Sequence, residues 1–461
     1  MKLEGLLKSL PEVEPPKKKL NFKTKLIWTG AVLLVFFVLG MIPLWGLDPN
    51  AVSRFETLQI LLAANFGSLI SLGIGPIVTG SIILQLLIGA EIIKIDTTTH
   101  EGREMYQGMQ KLFSIFFIVV ENAGYVLSGA LPAAGGLPIN TAALILQLIV
   151  GGFLLLLLDE VVSKWGIGSG ISLFIAAGVS KSIFVRALSP FKDASGLRVG
   201  AIWRIIALIA QGVPGEALWP LVAIVATIVV FALAVYLQAV KIDIPLTFSR
   251  IRGFSIRWPI KLLYTSNIPV ILVAALIASM QLWGVMLYNA GLPILGTYET
   301  QQTGQGVRQV PVSGLVKYLN PPTIRTLFVQ GLTRDNLLSI LVYSSFMIIG
   351  AMFFSVLWMK VGGQDPSKVA EQIFAVGLSL PGFRRDPRIL EQKLRHYIYP
   401  MAIVGGAAVG FLAAFADLLG ALSRGTGILL TVMIVYTFYE QLQRQHPEEM
   451  SLIAKWIGGK R

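Results

Sequence analysis

The chain has 461 residues, of which 54% are hydrophobic and 14% are charged, and its formal net charge is +13. Soluble domains carry about 25% charged residues, so this balance excludes an ordinary soluble protein and predicts a membrane protein. The sequence contains no cysteine, which excludes disulfides, iron–sulfur clusters and thiolate metal sites. The excess of positive charge suits a polyanionic partner, either anionic lipid or nucleic acid.

Ten apolar segments predict membrane-crossing helices, since such a helix needs about 20 residues. The first is too long for the apolar core of a signal peptide, so we expect it to remain in the mature protein. Glu121 interrupts the third segment, and the fifth and tenth are unusually short. The predicted spans are 26–45, 69–93, 112–131, 137–158, 166–180, 217–240, 262–287, 337–359, 397–416 and 425–439.

The distribution of lysine and arginine tests this number of spans. With ten spans and a cytoplasmic N-terminus, 27 of the 38 basic residues fall on the cytoplasmic side. The positive-inside rule therefore favours ten spans with both termini in the cytoplasm. Five spans on each side of a break near residue 190 predict two halves, 1–190 and 191–461, that run in opposite directions across the membrane.

Corresponding spans of the two predicted halves share interruptions. Spans 2 and 7 contain GIGP at 73–76 and SNIP at 266–269, and the short spans 5 and 10 open with GSG at 168–170 and GTG at 425–427. Broken or short spans at matching positions indicate a central pathway. The simpler alternative is that glycine and proline are common in membrane helices.

Residues 54–66 follow the first span and are too short to cross the membrane. This segment is therefore expected to be an interfacial helix, a re-entrant segment or a lid. If it enters the membrane without crossing it, protein or a water-filled cavity must shelter its backbone from lipid.

No signature of catalysis or energy coupling is present. The sequence has no phosphate-binding loop and no dinucleotide-binding turn after a predicted strand. His100, His396 and His446 are far apart, so no metal cluster is expected. We therefore predict no catalytic residue, no metal, no cofactor and no enzymatic activity, and we expect the driving force to come from outside the chain.

Charged groups leave two questions open. Glu121 inside the third span is either a protonated or hydrogen-bonded carboxyl group or a gating residue. The basic connections 241–261 and 360–395 either set topology alone or bind a polyanionic surface such as ribosomal RNA or anionic lipid.

Several long motifs follow one another along the chain. They are LPEVE at 10–14, LGIGPIVT at 72–79, YQGMQKL at 106–112, LDE at 158–160, GIGSGISLFI at 166–175, SNIPVI at 266–271 and GTGILL at 425–430. In these motifs and in their order, the chain resembles the archaeal branch of the SecY family from about residue 10 to 445. The resemblance implies an all-α membrane protein of ten helices, arranged in two inverted halves like a clam around an hourglass pore.

The resemblance also implies roles for particular residues. A pore ring of aliphatic side chains would exclude ions when narrow, because such a constriction loses its water. Its members would be Ile74, Val78, Ile171, Ile175, Ile271 and Leu430. A plug would close the external side, formed by Arg54, Phe55, Glu56, Thr57, Leu58, Gln59, Ile60, Leu61, Leu62, Ala63, Ala64, Asn65 and Phe66.

A lateral gate between spans 2–3 and 7–8 would let signal sequences and membrane helices enter lipid. Thr79, Glu121 and Ser279 would form a polar cluster beside it, although the family leads us to expect an amide in place of Ser279. Arg250, Arg252, Arg384 and Arg385 would receive the ribosome.

The implied partners are a SecE-type gamma subunit, a small Sec-beta subunit, the ribosome with its nascent chain, signal peptides and membrane lipids. The implied location is the cell membrane, and the implied function is a passive channel for secretory and membrane polypeptides.

Three other classes of protein compete with this interpretation. A secondary transporter shares the inverted repeat but needs a polar ion site at the midplane. An intramembrane enzyme needs a nucleophile with a base or an acidic pair inside the spans, which we do not find. A structural scaffold has no need of matched broken helices.

Overall fold

The computed structural model describes residues 11–18, 20–47, 67–89, 92–95, 99–127, 131, 133–191, 198–248, 255–263, 268–289, 291–303, 306–379, 386–423, 425–445 and 447. These residues form fourteen α-helices, ten of which lie at the ten predicted spans. The helices are α1 Phe22–Leu39, α2 Gly75–Gly89, α3 His100–Leu127, α4 Pro138–Trp165, α5 Gly170–Leu188, α6 Ala201–Ala210, α7 Pro214–Ala239, α8 Ile268–Asn289, α9 Leu315–Tyr318, α10 Ile324–Gln330, α11 Arg334–Val361, α12 Pro366–Ala375, α13 Pro387–Leu419 and α14 Gly425–Gln445.

Seven of these helices are long and apolar enough to cross a membrane, counting within the described residues. They are α1, α3, α4, α5, α7, α11 and α13. The remaining three at predicted spans are α2, α8 and α14. Several helices of spanning length in one chain make it a multi-pass membrane protein.

Five strands lie in the connections between helices, and the sequence interpretation predicted none of them. They are β1 Lys241–Phe248, β2 Ser255–Lys261, β3 Tyr298–Thr303, β4 Gly306–Pro311 and β5 Leu378–Ser379. The first, second and fifth form an antiparallel sheet in the order β2-β1-β5, and β3 and β4 form a separate hairpin.

Several helix boundaries differ from the predicted spans. Residues 67–74 form turns, and α2 begins at Gly75 rather than at residue 69. Gly73 has a left-handed φ of 56° there, and Pro76 suits the first turn of a helix. Elsewhere α3 and α13 begin well before the apolar segment, and α5 continues past Lys181 to Leu188. A charged residue ends an apolar pattern but does not end a helix, so these boundaries were predicted too narrowly.

The core consists of separate apolar clusters in the two predicted halves. Side chains of α1 to α5 surround Phe36, Leu155 and Phe174. In the second half, α7, α8, α11, α13 and α14 pack around Met347 and Ala413. A further cluster joins the three-stranded sheet to α12 and the start of α13. The predicted halves meet where α5 packs against α14 and where α2 packs against α11.

Candidate functional site

Helix α5 begins against the end of α4. The Asp159 carboxylate accepts a hydrogen bond from the backbone N–H of Ile171 at 2.8 Å and another from that of Gly170. A Cβ at Gly170 would lie 2.5 Å from the Cα of Asp159, so only glycine fits this close approach. Asp159 thus satisfies backbone donors that a helix start leaves unpaired.

Helix α14 begins against the end of α13 by the same arrangement. The backbone N–H of Gly425 donates to Oδ1 of Asp417 at 2.6 Å. The Tyr343 hydroxyl donates to Oδ2 of the same carboxylate, also at 2.6 Å. A Cβ at Gly425 would lie 2.4 Å from the carbonyl oxygen of Ala413. The glycines that the sequence singled out at the two short spans are therefore sites of tight contact between helices.

The six predicted pore-ring residues lie in two apolar clusters that share a member. Ile74 is buried in the cluster of the first half, and Val78, Ile171 and Ile175 pack against it. Leu430 is buried in a second cluster, and Ile271 and Ile175 pack against that one. Ile175 therefore joins the two groups, at the junction of α5 and α14.

Helix geometry explains how pairs of these residues share one side. The backbone N–H of Val78 donates to the carbonyl oxygen of Ile74 at 3.0 Å, so these residues are one helical turn apart. Ile171 and Ile175 have the same spacing on α5, which puts both on one helix face. Aliphatic side chains offer no hydrogen bonds, so the junction can exclude water and ions without binding a particular sequence.

The predicted plug, residues 54–66, lies outside the described residues, but its flanks are described. The N–H of Leu44 donates to the oxygen of Gly67 at 2.8 Å, and the N–H of Leu69 donates to the oxygen of Ile42 at 2.9 Å. The chain therefore leaves and returns at one place, shortly before Ile74.

Two of the three predicted gate residues are in contact. The Thr79 hydroxyl and the half-buried Glu121 carboxyl group form a side-chain hydrogen bond between α2 and α3. Ser279 lies on α8, and its side chain is outside the described part. The sequence interpretation missed Asn122, a buried neighbour whose Nδ2 donates to the oxygen of Ile118 at 2.6 Å. The feature of the sequence that could have identified Asn122 is an amide side chain inside an apolar segment.

Arg250, Arg252, Arg384 and Arg385 all fall outside the described residues. The strands that flank them are described, and Thr247 of β1 pairs with both Ser255 of β2 and Ser379 of β5. The described strand ends next to 249–254 and 380–385 therefore lie at the same end of the three-stranded sheet.

The sheet is linked to α14 by an ion pair that the sequence did not predict. Lys261 at the end of β2 contacts Glu440 with distances of 2.6 and 2.7 Å from Nζ to the two carboxylate oxygens. The Lys261 ammonium group also lies 5.2 Å from the ring centre of Tyr436. No sequence spacing indicates this pair, because its members are far apart in the chain.

A second set of charges holds the described start of the chain to α4. Lys164 contacts Glu12 at 2.5 Å and Glu160 at 3.2 Å, and Glu160 contacts Lys111 at 3.0 Å. The hydrogen bond from Lys164 holds the pKa of Glu12 below its ordinary value. The indole N–H of Trp165 donates to the oxygen of Glu14 at 2.8 Å, which fixes the same segment.

The described residues contain no group of three or more acidic, histidine or cysteine side chains that could hold a metal. His100 and His396 are exposed and make local contacts with Glu104 and Gln392. His446 lies outside the described residues.

The geometry agrees with what comparison with known proteins shows. A family model described as SecY matches residues 68–439, and one described as the plug domain of Sec61p matches residues 34–67. The chain belongs to the SecY family. A protein translocase subunit SecY of Methanocaldococcus jannaschii is 43% identical over 452 residues, which cover 97% of each chain. The corresponding subunit of Pyrococcus furiosus is 43% identical over 458 residues, covering 95% of each.

Solved structures of relatives have the same architecture. A structure described as a protein conducting channel has a TM-score of 0.79 and 42% identity, and the match covers 97% of this chain and 99% of the other. Sec61 in a canine ribosome-channel complex has a TM-score of 0.77 and 41% identity over the same shares. The predicted membership of the SecY family and the all-α membrane fold of ten helices are both confirmed.

Proposed function

We propose that this chain is the channel subunit of a protein translocase, through which secretory polypeptides cross the membrane and membrane proteins enter it. The observation on which this proposal rests is the aliphatic junction around Ile175, where α5 of the first predicted half meets α14 of the second. The SecY relatives are named as translocase subunits. This function is that of a channel rather than an enzyme, with the driving force supplied by a partner.

We assign the constriction of this channel to the six pore-ring residues. Their shared clusters on α2, α5, α8 and α14 support the assignment, because one contiguous apolar surface connects the two halves. A secondary transporter would place ion-binding polar groups at this point. The aliphatic surface favours a channel that seals around chains of any sequence.

The plug and the lateral gate are proposals of the same kind. The family model for a plug domain covers residues 34–67, and the described residues on either side of segment 48–66 are hydrogen-bonded to each other. For the gate, support comes from the contact of α2 with α11 and from the hydrogen bond between Thr79 and Glu121.

We infer that the ribosome binds at segments 249–254 and 380–385. Both carry paired arginines, and the described strand ends next to them lie at the same end of one sheet. Arginine-rich segments suit the phosphates of ribosomal RNA, because guanidinium groups bind phosphate and release its counterions. A SecE-type subunit and a Sec-beta subunit complete the proposed complex. The charge bias favours cytoplasmic termini and a location in the cell membrane.

Site-specific photo-crosslinking tests the channel function. A photoreactive residue at Ile171 is expected to crosslink to a signal-bearing nascent chain stalled on ribosomes, and the crosslink is expected to depend on chain length. Leu146 is a matched control, because it is 64% exposed on the outer surface of α4. Equal crosslinking at both positions, or none at Ile171, would count against a polypeptide path at this junction.

A further inference from the structure

A cavity of about 470 Å³ lies at the end of the helix bundle opposite the three-stranded sheet. The end of α5, the start of α7 and the end of α13 form its walls together with parts of α6 and α10. Small-molecule sites commonly occupy roughly 300–1,000 Å³. Among its described lining residues, none belongs to the predicted pore ring or gate.

Positive charge dominates this cavity. Arg186, Arg204 and Arg325 line it, together with one carboxylate, that of Glu216. The Nη2 atom of Arg325 lies 3.6 Å from Glu216 Oε2, while Arg186 and Arg204 are half-buried side chains. The described lining thus holds more guanidinium groups than its carboxylate can neutralise. Under the predicted ten-span topology, this excess of arginine lies on the external side of the membrane, where the positive-inside rule expects fewer basic residues.

The aromatic residues at the cavity are of the kind expected at the depth of lipid headgroups. Trp219 lines it and packs edge-on against Phe328 with 5.5 Å between ring centres. Trp203 of α6 donates its indole N–H to the oxygen of Leu188 at 2.9 Å. Tryptophan collects at the membrane–water interface, where an apolar ring and a polar N–H are both accommodated.

The apolar side of α6 continues from the cavity toward lipid. Ile202, Ile206 and Ile209 are exposed on this helix, whereas Leu208 is buried and lines the cavity. A short helix with exposed aliphatic side chains next to a charged cavity matches an interfacial helix that lies in the membrane surface. A bound molecule therefore meets guanidinium groups in the cavity and aliphatic side chains beside it.

We infer that this cavity binds the phosphate group of a membrane lipid, with the acyl chains lying along α6. Arg186 and Arg204 donate to the phosphate oxygens from the half-buried wall, and Arg325 contributes from the rim. The planar guanidinium fork matches phosphate bidentately, which favours this headgroup over a neutral one. The adjoining aliphatic surface favours a lipid over a free anion.

Native mass spectrometry of the purified, delipidated complex tests the inference. The complex is incubated with phosphatidylglycerol, with a lipid of the same chains and an uncharged sugar headgroup, or with inorganic phosphate. Phosphatidylglycerol is expected to bind and the sugar lipid is not. The double variant Arg186→Gln/Arg204→Gln is expected to bind at least about tenfold more weakly, because two charge-assisted hydrogen bonds are lost.

Arg334→Gln is the matched control, since it makes the same change at an exposed residue on the same side and outside the cavity. Equal lipid binding by the double variant and the control overturns the inference. So does equal binding of the sugar lipid, or displacement of phosphatidylglycerol by inorganic phosphate alone.

Photo-crosslinking from Ile324, which lines the cavity, gives a second result that needs no arginine variant. In membranes, crosslinking to lipid supports the inference. Crosslinking to a polypeptide instead shows that a partner subunit fills the cavity and overturns it. This arm decides the matter if the double variant fails to assemble.

Discussion

The starts of α5 and α14 show how two regions of one chain build the same contact from different surroundings. In both, an aspartate near the end of the preceding helix accepts backbone N–H groups from the start of the next helix. Among the described contacts, Asp159 accepts from the N–H groups of Gly170 and Ile171, whereas Asp417 accepts from the N–H of Gly425 and from the Tyr343 hydroxyl. The backbone arrangement is therefore shared, while the remaining partners are specific to each half. This similarity supports the proposed division into residues 1–190 and 191–461.

Replacing each of the two aspartates is expected to give the largest effects, and it tests whether the two contacts contribute differently to stability. We expect Asp417→Ala to lower the free energy of unfolding by about 2–4 kcal/mol, because a backbone N–H and a buried hydroxyl both lose their partner. Asp159→Ala is expected to cost about 1–3 kcal/mol, since backbone donors alone lose theirs. Denaturant unfolding of the purified complex in micelles measures both.

Tyr343→Phe tests the partner that is specific to the second half. It is expected to lower the free energy of unfolding in the wild-type background and to have almost no effect in the Asp417→Ala background, where the acceptor of the hydroxyl is already absent. Asp243 is an exposed control on β1, and Asp243→Ala should stay within about 0.5 kcal/mol. If the two aspartate variants are as stable as this control, the hydrogen bonds to Asp159 and Asp417 do not stabilise the starts of α5 and α14.

The pore ring offers the next comparison, between the clusters of the two halves. Ile175 packs in both clusters, whereas Ile171 and Ile271 each pack in one. Ile175→Gly is therefore expected to raise the resting ion conductance of reconstituted complexes several-fold, and more than Ile171→Gly or Ile271→Gly. Leu146→Gly introduces the same helix-weakening residue on the outer surface and should leave conductance unchanged. Unchanged conductance in all three ring variants would contradict the proposed constriction.

Ion pairs differ between the halves in exposure. The side chains of Lys111 and Glu160 are 13% and 17% exposed, whereas those of Lys261 and Glu440 are 37% and 29% exposed. We expect Glu160→Gln to cost about 1–2 kcal/mol and Glu440→Gln less than about 1 kcal/mol, because solvent screens the second pair more. Unfolding at low and high salt checks this, and only the second pair should weaken markedly with salt. The reverse order would show that burial does not set these contributions.

The smallest expected effect concerns the described start of the chain. The pKa of Glu12 is lowered from 4.5 by its hydrogen bond to Lys164. A lowered folded-state pKa means that the contact is fully stabilising above pH 4.5 and is lost as the pH falls through the lowered value. A spin label at Pro15→Cys, the only thiol in the chain, should gain mobility over that range. In a Glu12→Gln background the mobility should be higher at neutral pH and change little on acidification. Identical titrations in the two backgrounds would contradict a role for this contact.

Local patterns were enough to predict much of the fold. Apolar length predicted the positions of all ten helices, and the glycine motifs at 168–170 and 425–427 marked the starts of α5 and α14. The prediction that these two helices are short was wrong, because α5 has 19 residues and α14 has 21. Apolar length and the glycine motifs are both local signals, because the hydropathy of consecutive residues, or the absence of a side chain at glycine, directly affects where a helix forms and where it begins. The four-residue spacing of Ile171 and Ile175 likewise follows from helix geometry alone.

Contacts between distant segments could not be predicted in this way. Strand β1 forms between β2 and β5. Polar and apolar residues alternate along 241–248, a strand signal that the sequence interpretation missed, but this alternation does not identify the strands with which β1 pairs. The roles of Asp159 and Asp417 also depend on how closely consecutive helices approach. Arg186, Arg204 and Arg325 were read only as part of a charge count, because nothing in their spacing shows that they line one cavity.

The two aspartate anchors have a mechanical consequence, because they hold α5 and α14 at opposite faces of the membrane. Under the proposed topology, α5 is tethered at its cytoplasmic end and α14 at its external end. Friction from a chain in transit would pull one helix away from its tether and press the other toward its own. Such a force would stretch the contact between Asp159 and α5 and compress the contact between Asp417 and α14. The two contacts therefore oppose the displacement together, and the constriction stays at its position while the polypeptide moves through it.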